Sequence, residues 1–222
     1  MWCVARGRSA REVLPLSWIA PPGPVAPGLT IGLLGGSFNP AHEGHLYVSL
    51  TALKRLKLDY VWWLVSPGNP LKDAKGMAPF ATRLDSAKCV AQHPQLIVSD
   101  IEQRLGTRYT LDTVAALQRR FPQVRFVWLM GSDNLESFHL WRNWDEIARR
   151  VAIVVVQRPG SIMAAVNAAP VRRFGKSRAL KVPPCIVVLD GARNSQSATR
   201  IRTLGTGPKP MLNAPHNRRK QP

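Results

Sequence analysis

The sequence predicts an α/β fold: a doubly wound, Rossmann-like parallel sheet with helices on both faces. Short apolar runs alternate with stretches of helical spacing from Thr30 onward. The apolar runs are continuous rather than alternating in and out, the pattern of strands buried on both faces. With 222 residues, 45% of them hydrophobic, the chain can build one sizeable α/β domain and is short for two.

Residues 1–29 are rich in Pro, Gly and Arg and lack periodicity, and Pro21-Pro22-Gly23-Pro24 and Pro27-Gly28 give their end the composition of a linker. They are expected to form a disordered extension, with structure beginning at Thr30. Arg6, Arg8 and Arg11 mimic an organelle transit peptide, but the extension is the preferred reading. One folded domain is then expected over residues 30–204. Residues 31–34 form a short apolar strand ending in Gly35-Gly36, and a helix follows over 43–56. The run 60–65, rich in Val and Trp, is the second strand. A helix over 80–92 precedes a short strand at 96–98. Leu111, Val114, Ala115 and Leu117 have helical spacing, so 110–120 is a helix. A strand over 124–130 closes on Gly131. Residues 141–149 read as a helix, 151–156 as a strand of β-branched residues, and 186–189 as the last strand. Ser197 opens a final helix, and the Gly/Pro-rich basic segment 205–222 is expected to be a disordered tail. No internal repeat is visible. In open sheets of this class ligands bind beyond the carboxyl ends of the strands, so the chemistry belongs in the loops after Leu34, Val65, Met130, Val156 and Leu189.

The formal net charge is +18, which favours anionic partners: nucleotides, pyrophosphate, nucleic acid or an acidic membrane surface. Charge alone does not choose among them. Cys3, Cys89 and Cys185 are far apart and form no CxxC pair, which argues against a disulfide framework or a cysteine-rich zinc site. Cys89 and Cys185 are expected to be small buried apolar residues, in a cytoplasmic protein. No apolar run is long enough to span a bilayer.

The loop after the first strand reads Gly35-Gly36-Ser37-Phe38-Asn39-Pro40-Ala41-His42-Glu43-Gly44-His45. Two glycines after a strand allow a backbone to approach a phosphate closely. His42 and His45, three apart, share one face at a helix N-terminus, where backbone N–H groups favour negative charge. Two imidazoles with such amides suit phosphate oxygens. A zinc reading is weaker, because a third protein ligand is missing and the spacing is one residue short of HExxH. Near the other end, Ser197 is a good N-cap and Arg202 could form a charge-assisted fork to phosphate; alone, these would be a capped surface helix.

The first loop resembles the GG(T/S)F(D/N)P-x-H-x-GH signature of the HxGH nucleotidyltransferase superfamily, and Ser197-Ala198-Thr199-Arg200-Ile201-Arg202 is similar to its carboxyl-terminal S-x-T-x-x-R motif. Between them, the order of Pro67-Gly68-Asn69-Pro70-Leu71-Lys72, Tyr109-Thr110-Leu111-Asp112-Thr113, Gly131-Ser132-Asp133-Asn134 with Trp141 and Trp144, and Arg158-Pro159-Gly160 resembles the nicotinate-nucleotide adenylyltransferase family. The likeness spans about residues 30–204; the tail beyond Leu204 departs from the family's pattern.

The resemblance implies in-line attack of the nicotinate mononucleotide phosphate on the α-phosphorus of ATP, with Mg²⁺ carried by the ATP and no dedicated metal cage. It implies that His42 and His45 are catalytic and meet the reacting phosphates. Gly35, Gly36, Ser37 and Phe38 would line the ATP site, with Gly131 and Asp133 at the ribose. Ser197, Thr199 and Arg202 would hold the β- and γ-phosphates. Lys72, Tyr109, Thr110, Trp141 and Arg158 would serve the mononucleotide, with Trp141 stacked on the pyridine ring. The rival substrates are nicotinamide mononucleotide and phosphopantetheine. A rival class is a basic nucleic-acid-binding or catalytically inactive regulatory protein, to which Arg172, Arg173, Lys176, Arg178 and Lys181 would contribute. No nucleic-acid motif accompanies that loose cluster, so nucleic acid is not an expected partner. Oligomeric state leaves no trace in the sequence.

Overall fold

A computed structural model of the chain describes residues 16–68, 76–157, 168–175, 177 and 179–189. The strands are β1 (Thr30–Gly36), β2 (Tyr60–Val65), β3 (Leu96–Ser99), β4 (Arg125–Gly131), β5 (Ala152–Val156) and β6 (Ile186–Leu189). They form one six-stranded sheet in the order β3-β2-β1-β4-β5-β6, and every pairing is parallel. This is the doubly wound order that the alternating sequence pattern implies. The order reverses between β1 and β4, so a crevice opens beyond their carboxyl ends. Leu34 pairs with Leu129, so the register continued by two residues puts Gly36 level with Gly131.

The helices are α1 (Glu43–Leu56), α2 (Phe80–Val90), α3 (Ile101–Leu105), α4 (Thr110–Arg120), α5 (Ser132–Phe138), α6 (Trp144–Arg150) and α7 (Ala169–Phe174). Successive strand residues point to opposite faces, and the core divides accordingly. Leu34, Trp63, Val65, Leu129 and Val154 pack with Val48, Ala52 and Leu53 of α1 and Ala87 of α2. Leu33, Trp62, Trp128 and Ile153 pack on the other face with Val114 and Leu117 of α4, Phe138 of α5 and Ile147 of α6. With both faces covered, the strands have no polar side to display, which is why their sequences do not alternate.

Several expectations shift. Residues 16–29 are docked rather than detached: Ile19 is 2% exposed, and Leu16, Val25 and Leu29 pack on the second core. Arg120 Nε donates to the Ile19 carbonyl and Arg104 Nη1 to that of Ala20. The packed unit therefore starts before Thr30, because scattered apolar residues in a Pro/Gly-rich stretch have no period yet still find a surface. Cys185 is buried as expected, but Cys89 is exposed on α2. The helix expected over 141–149 begins at Trp144, because Asn143, its N-cap, has φ 52° and breaks the path from Trp141. A separate helix, α5, starts directly after β4, and α3 also escaped the periodicity, being too short to show one. The proposed helix at Ser197 and the tail lie outside the described residues.

Candidate functional site

The loop from β1 enters α1 through a reciprocal cap made by the two motif histidines. His42 is the N-cap, and its Nδ1 accepts from the Gly44 N–H at 3.0 Å. His45 Nδ1 accepts from the His42 N–H at 3.2 Å. This is a capping box built from imidazoles. It has a chemical consequence: with Nδ1 accepting, the proton of each neutral ring sits on Nε2, so each ring can offer an Nε2–H donor. The rings lie 4.0 Å apart between centroids, and His42 is 5% exposed. Among the described residues no group of His, Cys, Asp and Glu side chains converges as a metal site.

An aromatic stack supports the pair. The Phe38 ring lies 4.7 Å from that of His45 and stacks at 5.1 Å on Trp63 of β2. Trp63 Nε1 donates to Ser49 Oγ, which donates to the His45 carbonyl. Phe38 itself has φ 47°, a left-handed conformation that a bulky side chain rarely adopts. Gly35 has a packing reason as well as a loop position: a Cβ there would stand 2.6 Å from Trp128 Cη2.

The motif loop is tied from the side by the start of α2. Asn39 Nδ2 donates to the Gly76 carbonyl and its Oδ1 accepts from the Ala78 N–H. Ser86 Oγ accepts from the Ala41 N–H. At the centre lies Arg83, 2% exposed. Its Nη1 donates to the carbonyls of Ser37 at 2.6 Å and Ser66 at 2.8 Å, its Nε to Ala78, and its Nη2 to Pro67. Burial lowers its pKa from the ordinary arginine value. Nothing in the local sequence marks Arg83 beyond its being a charged residue on the face of α2 that also buries Ala87.

The other flank of the crevice gathers the remaining motifs. Gly131 ends β4 and caps α5, and Asp133 stands exposed in that helix's first turn. Helix α4 must return the chain to the amino end of β4, so its N-terminus, with Tyr109 and Thr110, lies at the carboxyl-end side of the sheet. Arg142, next to Trp141, places its guanidinium 4.6 Å over the Tyr109 ring. Trp141 is half-buried, edge-on to Trp128 and Phe138. Trp144 packs between Phe138 and Phe174. The pair therefore divides: Trp144 on the helix, Trp141 in the turn before it. Thr113 of the Tyr109–Thr113 motif is buried and bonds Thr107 Oγ1 and Glu102 Oε1. Glu102 likewise carries no motif or period that would mark it in the sequence. Burial pushes its carboxyl up to about 7, against the opposing hydrogen bonds of Thr113 and Ser66. Lys72, Arg158, Ser197, Thr199 and Arg202 lie outside the described residues. Of the basic cluster, Arg173 is engaged by Asp145 and sits over the Trp144 ring.

Comparison with known proteins joins these observations. The Cytidylyltransferase-like family profile matches residues 33–204. A protein of Parvibaculum lavamentivorans named "Probable nicotinate-nucleotide adenylyltransferase" is 54% identical over 190 residues, covering 82% of this chain and 94% of its own.

The chain belongs to the nicotinate-nucleotide adenylyltransferase family.

A family member of the same name from Cereibacter sphaeroides is 48% identical, over 80% of this chain and 98% of its own. The fold is shared with the Plasmodium falciparum nicotinic acid mononucleotide adenylyltransferase solved in complex with NaAD, at TM-score 0.61 and 15% identity, covering 79% of this chain and 83% of that one. Among the described residues of this family member, no helix is long and apolar enough to cross a membrane.

Proposed function

We propose that this chain transfers the adenylyl group of ATP, taken as its Mg²⁺ complex, to nicotinate mononucleotide, a step of NAD biosynthesis. A phosphate oxygen of the mononucleotide attacks the α-phosphorus. The bond from that phosphorus to the bridging α–β oxygen breaks, pyrophosphate leaves with the electron pair, and deamido-NAD remains. The chain belongs to a family of nucleotidyltransferases, and its relatives carry the name of this activity. The observation that carries the reading to particular atoms is the reciprocal histidine cap, which puts both ring protons on Nε2 at the carboxyl end of β1.

In this reading His42 and His45 donate Nε2–H to the reacting phosphates, where charge builds during in-line displacement. No covalent intermediate is needed, so positioning and electrostatic stabilisation supply the rate. Gly35, Gly36, Ser37 and Phe38 form the wall of the phosphate site. Gly131 and Asp133 meet the ribose of ATP. Tyr109, Thr110 and Trp141 line the pyridine pocket, with Lys72 and Arg158 supplying cations to the mononucleotide; the Ser197 and Thr199 hydroxyls and the Arg202 guanidinium would donate to the β- and γ-phosphates. Mg²⁺ arriving with the ATP would neutralise charge on the phosphates.

The test is pyrophosphate release with ATP and Mg²⁺, comparing nicotinate mononucleotide, nicotinamide mononucleotide and phosphopantetheine. Preference for the nicotinate substrate supports the reading. Turnover with phosphopantetheine alone would keep the phosphate chemistry and overturn the pocket assignment.

A further inference from the structure

Arg83 is a buried guanidinium whose described hydrogen-bond partners are main-chain carbonyls rather than a carboxylate, with the Phe80 ring 5.4 Å from its Cζ. An apolar side chain could fill the same space without the desolvation that a buried charge carries. The location of the carbonyls explains the charge. Strands β1 and β2 pair up to Gly36 and Val65, and the Ser66 N–H still reaches the Gly36 carbonyl at 2.9 Å. There the ladder stops. The next carbonyls of the two loops, Ser37 and Ser66, both converge on Arg83 Nη1. The guanidinium thus joins the strands' two exit loops one step beyond their last backbone bond.

The consequence reaches the histidines. A peptide unit is planar with its C=O and N–H pointing in opposite directions. With the Ser37 carbonyl held on Arg83, the Phe38 N–H points away from it. Phe38 then takes its left-handed φ of 47°, which turns its ring under His45 at 4.7 Å.

We propose that Arg83 is a positioning residue for adenylyl transfer: by clamping the carbonyls of Ser37, Ser66 and Pro67, it fixes the direction of the Phe38 amide and, through the Phe38 ring, the seat of His45. The proposal deepens the reading of the site given above and rests on it. Arg83, 2% exposed, acts through Phe38 and His45 rather than directly on a substrate.

The experiment compares Arg83→Lys and Arg83→Ala with the parent chain, using MgATP and nicotinate mononucleotide, with folding checked by near-ultraviolet circular dichroism. Lysine keeps a charge but lacks the planar fork that reaches several carbonyls. Alanine leaves room for ethylguanidinium. The expected result is a fall in kcat on the order of 10²-fold in both variants, since misplacement of a catalytic group by about 1 Å has that effect. KM for ATP should move only a few-fold, and millimolar ethylguanidinium should restore turnover to Arg83→Ala but not to Arg83→Lys or His45→Ala. A merely structural arginine would instead show as a lower stability in urea melts with kcat per folded molecule close to that of the parent. A folded variant with kcat within about threefold of the parent overturns the proposal, as does a folded Arg83→Ala whose deficit ethylguanidinium leaves untouched. If Arg83→Ala does not fold, the kcat of Arg83→Lys decides between the same outcomes. A parent chain that makes no deamido-NAD counts against the proposed function instead.

Discussion

Substitution of Gly35 by alanine separates packing from phosphate access at the first loop. An added Cβ would lie 2.6 Å from Trp128 Cη2 and 2.8 Å from Cζ2. Ordinary carbon contacts fall at about 3.5–4.0 Å, so the indole or the strand must yield by roughly 1 Å. Trp128 is 2% exposed and wedged edge-on against Trp141, so its ring has little room. Gly35→Ala should therefore cost about 1–3 kcal/mol, the usual range for overpacking a core. Gly36→Ala is the control, because its Cβ would meet Phe38 Cε2 at 3.4 Å, close to ordinary contact. Urea denaturation gives the stabilities, and Trp128→Leu completes a double-mutant cycle, since leucine lacks the two offending ring atoms. The single changes should not add: the pair should recover about 1 kcal/mol or more of the Gly35→Ala loss. A Gly35→Ala protein within about 0.5 kcal/mol of the parent, or an additive cycle, would refute the packing argument. Unchanged stability with a raised KM for ATP would instead return Gly35 to the phosphate-approach role.

His45→Ala should lose on the order of 10²–10³ in kcat, by analogy with removal of an oxyanion donor, and about 1 kcal/mol of stability from the broken cap; near-parental pyrophosphate release would sink the catalytic assignment. Trp141→Ala should raise KM for nicotinate mononucleotide by about tenfold, the scale of one aromatic–base stack, while KM for ATP stays nearly constant; equal effects on both substrates would point to collapse of the Trp128–Phe138 packing instead. Glu102 gives a pH prediction. Its folded pKa of about 7 lies above the unperturbed 4.5, so its contribution to stability is fully present below pH 4.5 and is lost as pH rises through 7. That gap corresponds to about 3 kcal/mol. Glu102→Gln should flatten the stability profile between those pH values and match or exceed the parent at pH 8, and an unchanged slope in urea melts across that range would refute it.

Much of the architecture was legible in the sequence because burial on both faces leaves a local mark. A parallel strand covered on two sides shows as a continuous apolar run, and β2, α1, α4 and β6 fall where the runs and periods place them. The segment from Gly35 to His45 was also legible as one motif, since its glycines and histidines are close together in the chain. What failed locally was short or aperiodic: α3, α5, and the docked segment 16–29, whose few apolar residues carry no period.

Apolar runs, helical periods and motif spacing already carry the fold class, the motif order and the residue types suited to a phosphate. What those residues touch depends on how the elements pack. Packing made both histidine rings accept at Nδ1 from N–H groups of the α1 cap and so placed the proton of each neutral ring on Nε2. It set Gly35 against Trp128, moved Trp141 off its helix, and brought Arg83 to carbonyls as far as 46 positions away. The difference is one of range. Periodicity reports the burial of one segment against an unspecified neighbour, whereas a buried charge or a clashing Cβ is defined by its particular partner, and the partner is supplied by the fold.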